Sequence, residues 1–138
     1  MQYFIKPVKQ YVSRINWGAF QYSRRNRFLK EAGIENYKEF LASRVWKELK
    51  NRAKNAKSDY WRKCLVCGSA KNLNLHHIRY RRKMLVDGDA QNLRPLCKYH
   101  HLETHGMANS KNKPLRWAFN KLVEKYSVDM DGIKTSIK

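Results

Sequence analysis

All five histidines and all three cysteines fall between Cys64 and His105, under a third of a 138-residue chain. Such crowding is hard to explain by scattered structural use, and the residues separate into two interleaved sets. The first is Cys64, Cys67, Cys97 and His100, two pairs each spaced by two residues and separated by a long insertion. Each pair can chelate from a tight turn, and three thiolates with one imidazole suit tetrahedral zinc. Gly68 follows the first pair, where a sharp turn is needed. The plain alternative is buried free cysteine. A redox pair would leave Cys97 without a role. An odd cysteine count with one close pair argues for a metal rather than disulfides.

The second set is His76, His77, Asn92, His101 and His105. His101 and His105 lie four apart, so a helix turns both to one side and offers half a metal site. His76 and His77 are adjacent at the end of a short apolar-polar alternation, Leu73-Asn74-Leu75. Neighbours on a strand point to opposite faces. One of the two can bind a metal while the other remains a free base, with an imidazole pKa near ~6.5 suited to taking a proton from water. Asp87 and Asp89 are left out of the site, because Asp-Gly-Asp is first a turn former.

The elements that must position these residues are readable in outline. A basic helix is expected over about Phe20–Ala32, stopped by Gly33. A second is expected over about Asn36–Asn55, with Phe40, Leu41, Val45, Trp46, Leu49 and Ala53 inward. Trp46 reads as core, while Lys47, Lys50, Arg52, Lys54 and Lys57 read equally as a solvated face or as a phosphate-binding face. Tyr80 to about Gln91 reads as a charged loop or ribbon with a turn at 86–89. Pro95 is expected to break regular structure before Cys97. A short helix should cover Tyr99–His105. A last helix should start near Pro114 and run to about Tyr126, with Leu115, Ala118, Phe119, Leu122 and Val123 inward. Residues 1–18 are mixed, and the end from Ser127 reads as a loose basic tail.

Thirty Lys and Arg against eleven Asp and Glu give a formal charge of +19, with 42% hydrophobic residues. A field of that sign concentrates polyanions. The expected partner is a nucleic acid rather than a membrane, since no basic amphipathic helix has a clean apolar face. No signal peptide or ~20-residue apolar span is expected, which points to the cytoplasm. A domain this small often needs a metal staple.

One stretch carries a resemblance. Cys64-Leu65-Val66-Cys67-Gly68, then Leu75-His76-His77-Ile78, then Asn92-Leu93-Arg94-Pro95-Leu96-Cys97, then His100-His101-Leu102-Glu103-Thr104-His105 resembles the HNH endonucleases in order and spacing. Tyr37–Ser43 and Val45-Trp46 look like the lead-in of bacterial and phage members. His100 stands where members usually place cysteine. Residues 1 to about 35 and 107–138 carry no such likeness.

The resemblance implies an α+β fold with a ββα-metal core (His-Me finger) and zinc knuckle, flanked by helices. The expected organisation is a basic helical extension over 1–58, a nuclease core over 59–106, and a C-terminal helix with basic tail over 107–138. By position, His76 is implied as first metal ligand and His77 as general base. Asn92 either reaches the metal or orients the loop holding His77. His101 is implied as a ligand, and His105 matches members with a further histidine. Structural zinc at Cys64, Cys67, Cys97 and His100 would accompany one catalytic divalent ion, Mg2+, Mn2+, Ni2+ or Zn2+. Arg79, Arg81 and Arg82 are candidate phosphate clamps. The implied partner is double-stranded DNA, and the implied activity is its hydrolysis to 5′-phosphate and 3′-hydroxyl ends. A monomer would nick, whereas a homodimer could cut both strands. The rival readings are a non-catalytic zinc-knuckle DNA-binding protein, an RNA-cleaving enzyme, and a toxin domain, for which no translocation segment is seen.

Overall fold

The computed structural model describes residues 15–130. The first fourteen residues and most of the basic tail therefore lie outside the described part. The fold is α+β: six helices, one 3-10 turn and a two-stranded antiparallel sheet among the described residues. No described helix is long and apolar enough to cross a membrane.

Helix α1 spans Trp17–Glu31, starting three residues before the expected Phe20 because the Asn16 side chain accepts the Ala19 N–H at 3.0 Å. Gly33 takes φ +79° just past its end. The single helix expected over Asn36–Asn55 is two. Helix α2 covers Tyr37–Leu41, and α3 covers Arg44–Lys54. Each has its own cap: Asn36 takes the Glu39 N–H at 2.9 Å, and Ser43 takes the Trp46 N–H at 3.3 Å. The apolar spacing continues across the break, which hid it, and the break leaves Leu41 exposed rather than inward. A 3-10 turn at Asp59–Arg62 buries Trp61.

Strand β1, Leu73–His77, contains both adjacent histidines and pairs with β2, Leu93–Cys97, with Leu73 opposite Cys97 and His77 opposite Leu93. Pro95 lies inside β2 rather than breaking it. A two-stranded sheet has only edges, so a proline costs no ladder bond on its outer side. Its carbonyl there accepts the Leu65 N–H at 2.9 Å. Between the strands the expected charged loop is instead helix α4, Arg82–Asp87, with Met84 and Leu85 buried. Gly88 ends α4 in the left-handed region at φ +72°, and its carbonyl accepts from Arg52 at 3.0 Å.

Strand β2 runs without a loop into α5, Lys98–Lys111, twice the length expected. Helix α6, Leu115–Lys125, packs on α5 with Leu115, Ala118, Phe119 and Leu122 buried. One apolar cluster joins Leu29, Phe40, Trp46 and Leu49 to Met84, Leu85 and Leu93, and onward to Ala108, Leu115 and Ala118. A second gathers Cys64, Cys97, Leu96 and Leu122. The sheet with α5 is thus held from both sides, and its histidines and cysteines face these two neighbourhoods.

Candidate functional site

The turn after the 3-10 segment presents Cys64 and Cys67, closed by the Gly68 N–H to the Cys64 carbonyl at 2.8 Å, with Gly68 at φ +74°. Cys97 ends β2 and His100 sits one turn into α5. Cys97 Sγ lies 3.9 Å from Cys67 Sγ, and His100 Nδ1 lies 3.3 Å from Cys97 Sγ and 3.6 Å from Cys64 Sγ. Sulfurs each ~2.3 Å from a tetrahedral centre stand about 3.8 Å apart, with a slightly shorter sulfur–nitrogen edge. These separations are close to the edges of such a tetrahedron, so the four donors could hold a zinc ion. All their ligand atoms lie within 4.8 Å of one another.

The local electrostatics favour a cation there. Burial opposes ionisation of the Cys64 thiol. The backbone N–H groups of Cys97, Cys67 and Val66, with the His100 ring, outweigh it and bring its pKa down to about 7. At Cys67 the Ser69 N–H favours the thiolate, but desolvation and the crowding Cys64 and Cys97 sulfurs raise its pKa on balance. A dication relieves that crowding. The Cys3His set thus has the chemistry of a structural zinc site, as its spacing suggested.

The strand alternation separates the two adjacent histidines. His76 turns toward α5 and α6, with its ring 5.0 Å from His101, 5.3 Å from His105 and 6.0 Å from Phe119. His101 and His105 face each other across one helical turn, Nε2 to Nε2 at 3.2 Å. The ligand atoms of these three histidines also lie within 4.8 Å of one another. His76 is fully buried, and neither of its ring nitrogens has a hydrogen-bond partner. A buried imidazole left that way is costly, because both a donor and an acceptor lose water. A cation held between the three rings is the ordinary remedy, so the residues fit a bound divalent metal.

Burial first, then the neighbouring imidazoles, holds His76 well below the usual histidine range. The same causes bring His101 to about 4, and burial lowers His105. All three are therefore neutral at pH 7, the form that binds metal.

His77 turns the opposite way into an aromatic enclosure. It stacks on Trp46 at 5.2 Å and leans on Tyr80 at 5.1 Å, with Tyr37 edge-on at 6.2 Å. It lies apart from the three-histidine cluster and is itself buried. Burial, then His101, Arg25 and His105, pushes its pKa down to about 3. Arg25 lies over the rings of Tyr37, Tyr22 and Tyr80 at 4.0, 4.8 and 5.3 Å. Burial, with Tyr80 beside it, raises the Tyr37 hydroxyl above the usual phenol range.

His77, His101 and His105 line one cavity of about 1020 Å3, and no carboxylate shares that lining. Arg25, Lys50, Lys54 and Arg62 do. Asn92 sits just before β2. Its carbonyl accepts the Ile78 N–H at 3.0 Å, and its Oδ1 accepts from Arg79 Nε at 3.3 Å. It ties down the segment that follows His77.

Of the three candidate phosphate clamps, Arg79 bonds Asn92, Arg81 is exposed, and Arg82 pairs with Glu31 at 3.7 Å. The lysines of α3 split: Lys50 and Lys54 line the cavity, whereas Arg52 is committed to Gly88. Sequence reasoning missed Arg25, Tyr37 and Tyr80 as cavity residues. The signal was slight: one arginine among three in the basic helix, and two tyrosines that the apolar spacing did not mark as inward.

The site defines a class: a basic α+β protein with a Cys3His cluster and a separate three-histidine cluster beside a cationic cavity. Compared with known proteins, the chain matches no family model, no curated protein and no solved structure.

Proposed function

We propose that the protein is a metal-dependent DNA endonuclease of the HNH type. In this reading β1, β2 and α5 form the ββα-metal core. The observation that carries it is His76, fully buried with both nitrogens unpartnered against His101 and His105, next to His77 in a cavity lined by four cationic side chains and no carboxylate.

His76, His101 and His105 would hold one divalent ion. When bound, such an ion neutralises charge on a phosphate and its leaving oxygen. The chain supplies the rest. Arg25, Lys50 and Lys54 draw a phosphodiester into the cavity and balance its charge, whereas Arg62 is already paired with Asp59 at 2.6 Å. Trp46, Tyr37 and Tyr80 fix the His77 ring and keep bulk water from it. His77 rests neutral and accepts a proton from the attacking water. Its low pKa in the free protein makes it a weak base, and an arriving anionic phosphate shifts that pKa upward. Asn92 holds the backbone after His77, so the ring does not swing away. The Cys64, Cys67, Cys97 and His100 set binds structural zinc and takes no part in the chemistry.

The test is incubation of supercoiled plasmid with protein in Mg2+, Mn2+, Ni2+ or Zn2+, and without added ion. Nicked product is expected from a monomer and linear product from a homodimer. Retardation of DNA without cleavage in any metal would favour a non-catalytic zinc-knuckle DNA-binding protein instead. Cleavage confined to RNA would move the substrate but keep the reaction.

A further inference from the structure

A second groove, of about 530 Å3, opens between the N-terminal ends of α1 and α6. Arg24, Arg79, Arg81, Lys113 and Arg116 line it, and no carboxylate does. Among the described residues none of these five takes part in an ion pair. The charges crowd one another: desolvation first, then Arg81, Arg116 and Arg24, holds the Arg79 guanidinium below its usual range. Uncompensated crowding of this kind costs free energy unless an anion relieves it.

The groove is fixed in width by side chains that cross it at one end. Asn112 Oδ1 accepts the Trp17 N–H at 3.1 Å, and Asn112 Nδ2 donates to the Ile15 carbonyl at 2.7 Å. Gln21 Oε1 accepts the Leu115 N–H at 2.8 Å. The two helix N-termini are thereby held side by side, and their dipoles add to the positive field.

Aromatic rings stand among the cations. Trp17 and Phe20 meet edge-on at 5.8 Å, and Phe20 is 51% exposed. Trp117 is flanked by Lys113 at 5.9 Å and Lys121 at 5.7 Å. A duplex shows its phosphates outward and hides the faces of its bases, so it needs the cations but not the rings. An unpaired strand offers both, and a basic groove with aromatic platforms is how such strands are held. We propose that this groove binds single-stranded nucleic acid. Tyr80 lines both this groove and the histidine cavity, so a seated strand lies next to the site proposed for hydrolysis. The inference deepens the endonuclease reading by assigning it a substrate with an unpaired segment beside the cut, yet binding in the groove does not require cleavage.

The test uses the full chain with its zinc and no added divalent ion. Oligothymidylate of about twelve nucleotides, within the range one such surface covers, is compared with a duplex of equal length by tryptophan fluorescence and by affinity against salt. The parent should bind the single strand more tightly than the duplex, with quenching. Arg24→Ala with Arg116→Ala, both exposed positions, should weaken single-strand binding about tenfold. It should also reduce the salt slope by about 1.4, from ~0.7 per phosphate contact. Trp117→Leu should lose about fivefold or more in affinity and much of the quenching, as expected for one lost stacked base.

Parent-like affinity and slope in the double variant would overturn the proposal, as would tighter binding of the duplex without quenching. A parent that cleaves no plasmid while the double variant loses single-strand affinity leaves the groove standing and removes the nuclease. Cleavage with no change in the double variant does the reverse.

Discussion

Substituting His76 by leucine should make the metal-poor protein more stable. The side chain is completely buried, pressed among His101, His105 and Phe119, with both nitrogens unpartnered. An unsatisfied buried polar group costs roughly 1–3 kcal/mol. Two such groups are removed, and leucine is close to histidine in volume, so the loss from imperfect repacking stays under about 1.5 kcal/mol. The net gain is about 0.5–6 kcal/mol. At roughly 4 °C per kcal/mol for a chain of this size, the melting temperature rises by about 2–24 °C.

Added divalent ion should raise the parent selectively and so close or reverse the gap. A ligand at one hundred times its Kd stabilises the parent by ~2.7 kcal/mol, while the variant keeps only two imidazoles and gains little. The assay is thermal melting of both proteins at pH 8, after a chelator wash too weak to strip thiolate-bound zinc, with and without Mn2+ or Ni2+. A parent that melts higher than the variant in the metal-poor state and does not respond to the ions would refute the reasoning. His76 would then be an ordinary core histidine.

Three further outcomes are expected. Metal analysis of folded protein should find about one tightly held zinc per chain, and Cys97→Ser should lose it and unfold, because structural zinc contributes folding free energy directly; folded protein without zinc would remove the knuckle. His77→Ala should slow plasmid cleavage about 10²- to 10⁴-fold with no rescue by added metal, with near-parental zinc content; recovery at high metal would instead make His77 a ligand. Gly88→Ala should destabilise the fold by roughly 1–2 kcal/mol in chemical denaturation, since the position is left-handed and an added Cβ would meet the Arg52 guanidinium at 3.1 Å; an unchanged midpoint would mean that α4 can end another way.

The sequence made the candidate ligands legible because metal chemistry restricts such groups to few residue types at short spacings. Cys64 with Cys67, and His101 with His105, declare themselves within one turn of chain. Strand alternation correctly separates His76 from His77, since a period of two allows no other outcome. The surroundings of His77 were not legible. Trp46, Tyr37, Tyr80 and Arg25 come from four separate segments, and only tertiary packing brings them around one ring. Helix α4 was missed because Arg81, Arg82 and Lys83 dominate the composition, although Met84 and Leu85 carry the burial. The α2–α3 break was missed for a related reason. The apolar spacing runs through it, and the only local sign was Ser43 three residues before Trp46. Pro95 misled because the rule against proline in strands applies to central strands, and this sheet has none.

Helix α5 ties the two histidine-bearing sets into one device. His100 is the last ligand of the thiolate cluster, and His101 is the first histidine of the other set on that helix. Consecutive residues on a helix point about 100° apart, so one helix can serve two sites without sharing a donor. The arrangement divides the labour. Cys97 ends β2 and leads straight into α5, so a zinc held by Cys64, Cys67, Cys97 and His100 fixes the start of the helix against the sheet. His101 and His105 are then aimed at His76 by a joint with no loop in it. A helix carried on a flexible connection could not hold three neutral imidazoles within a single metal radius. Zinc bound by the thiolate cluster would add rigidity to that joint where the histidines need it.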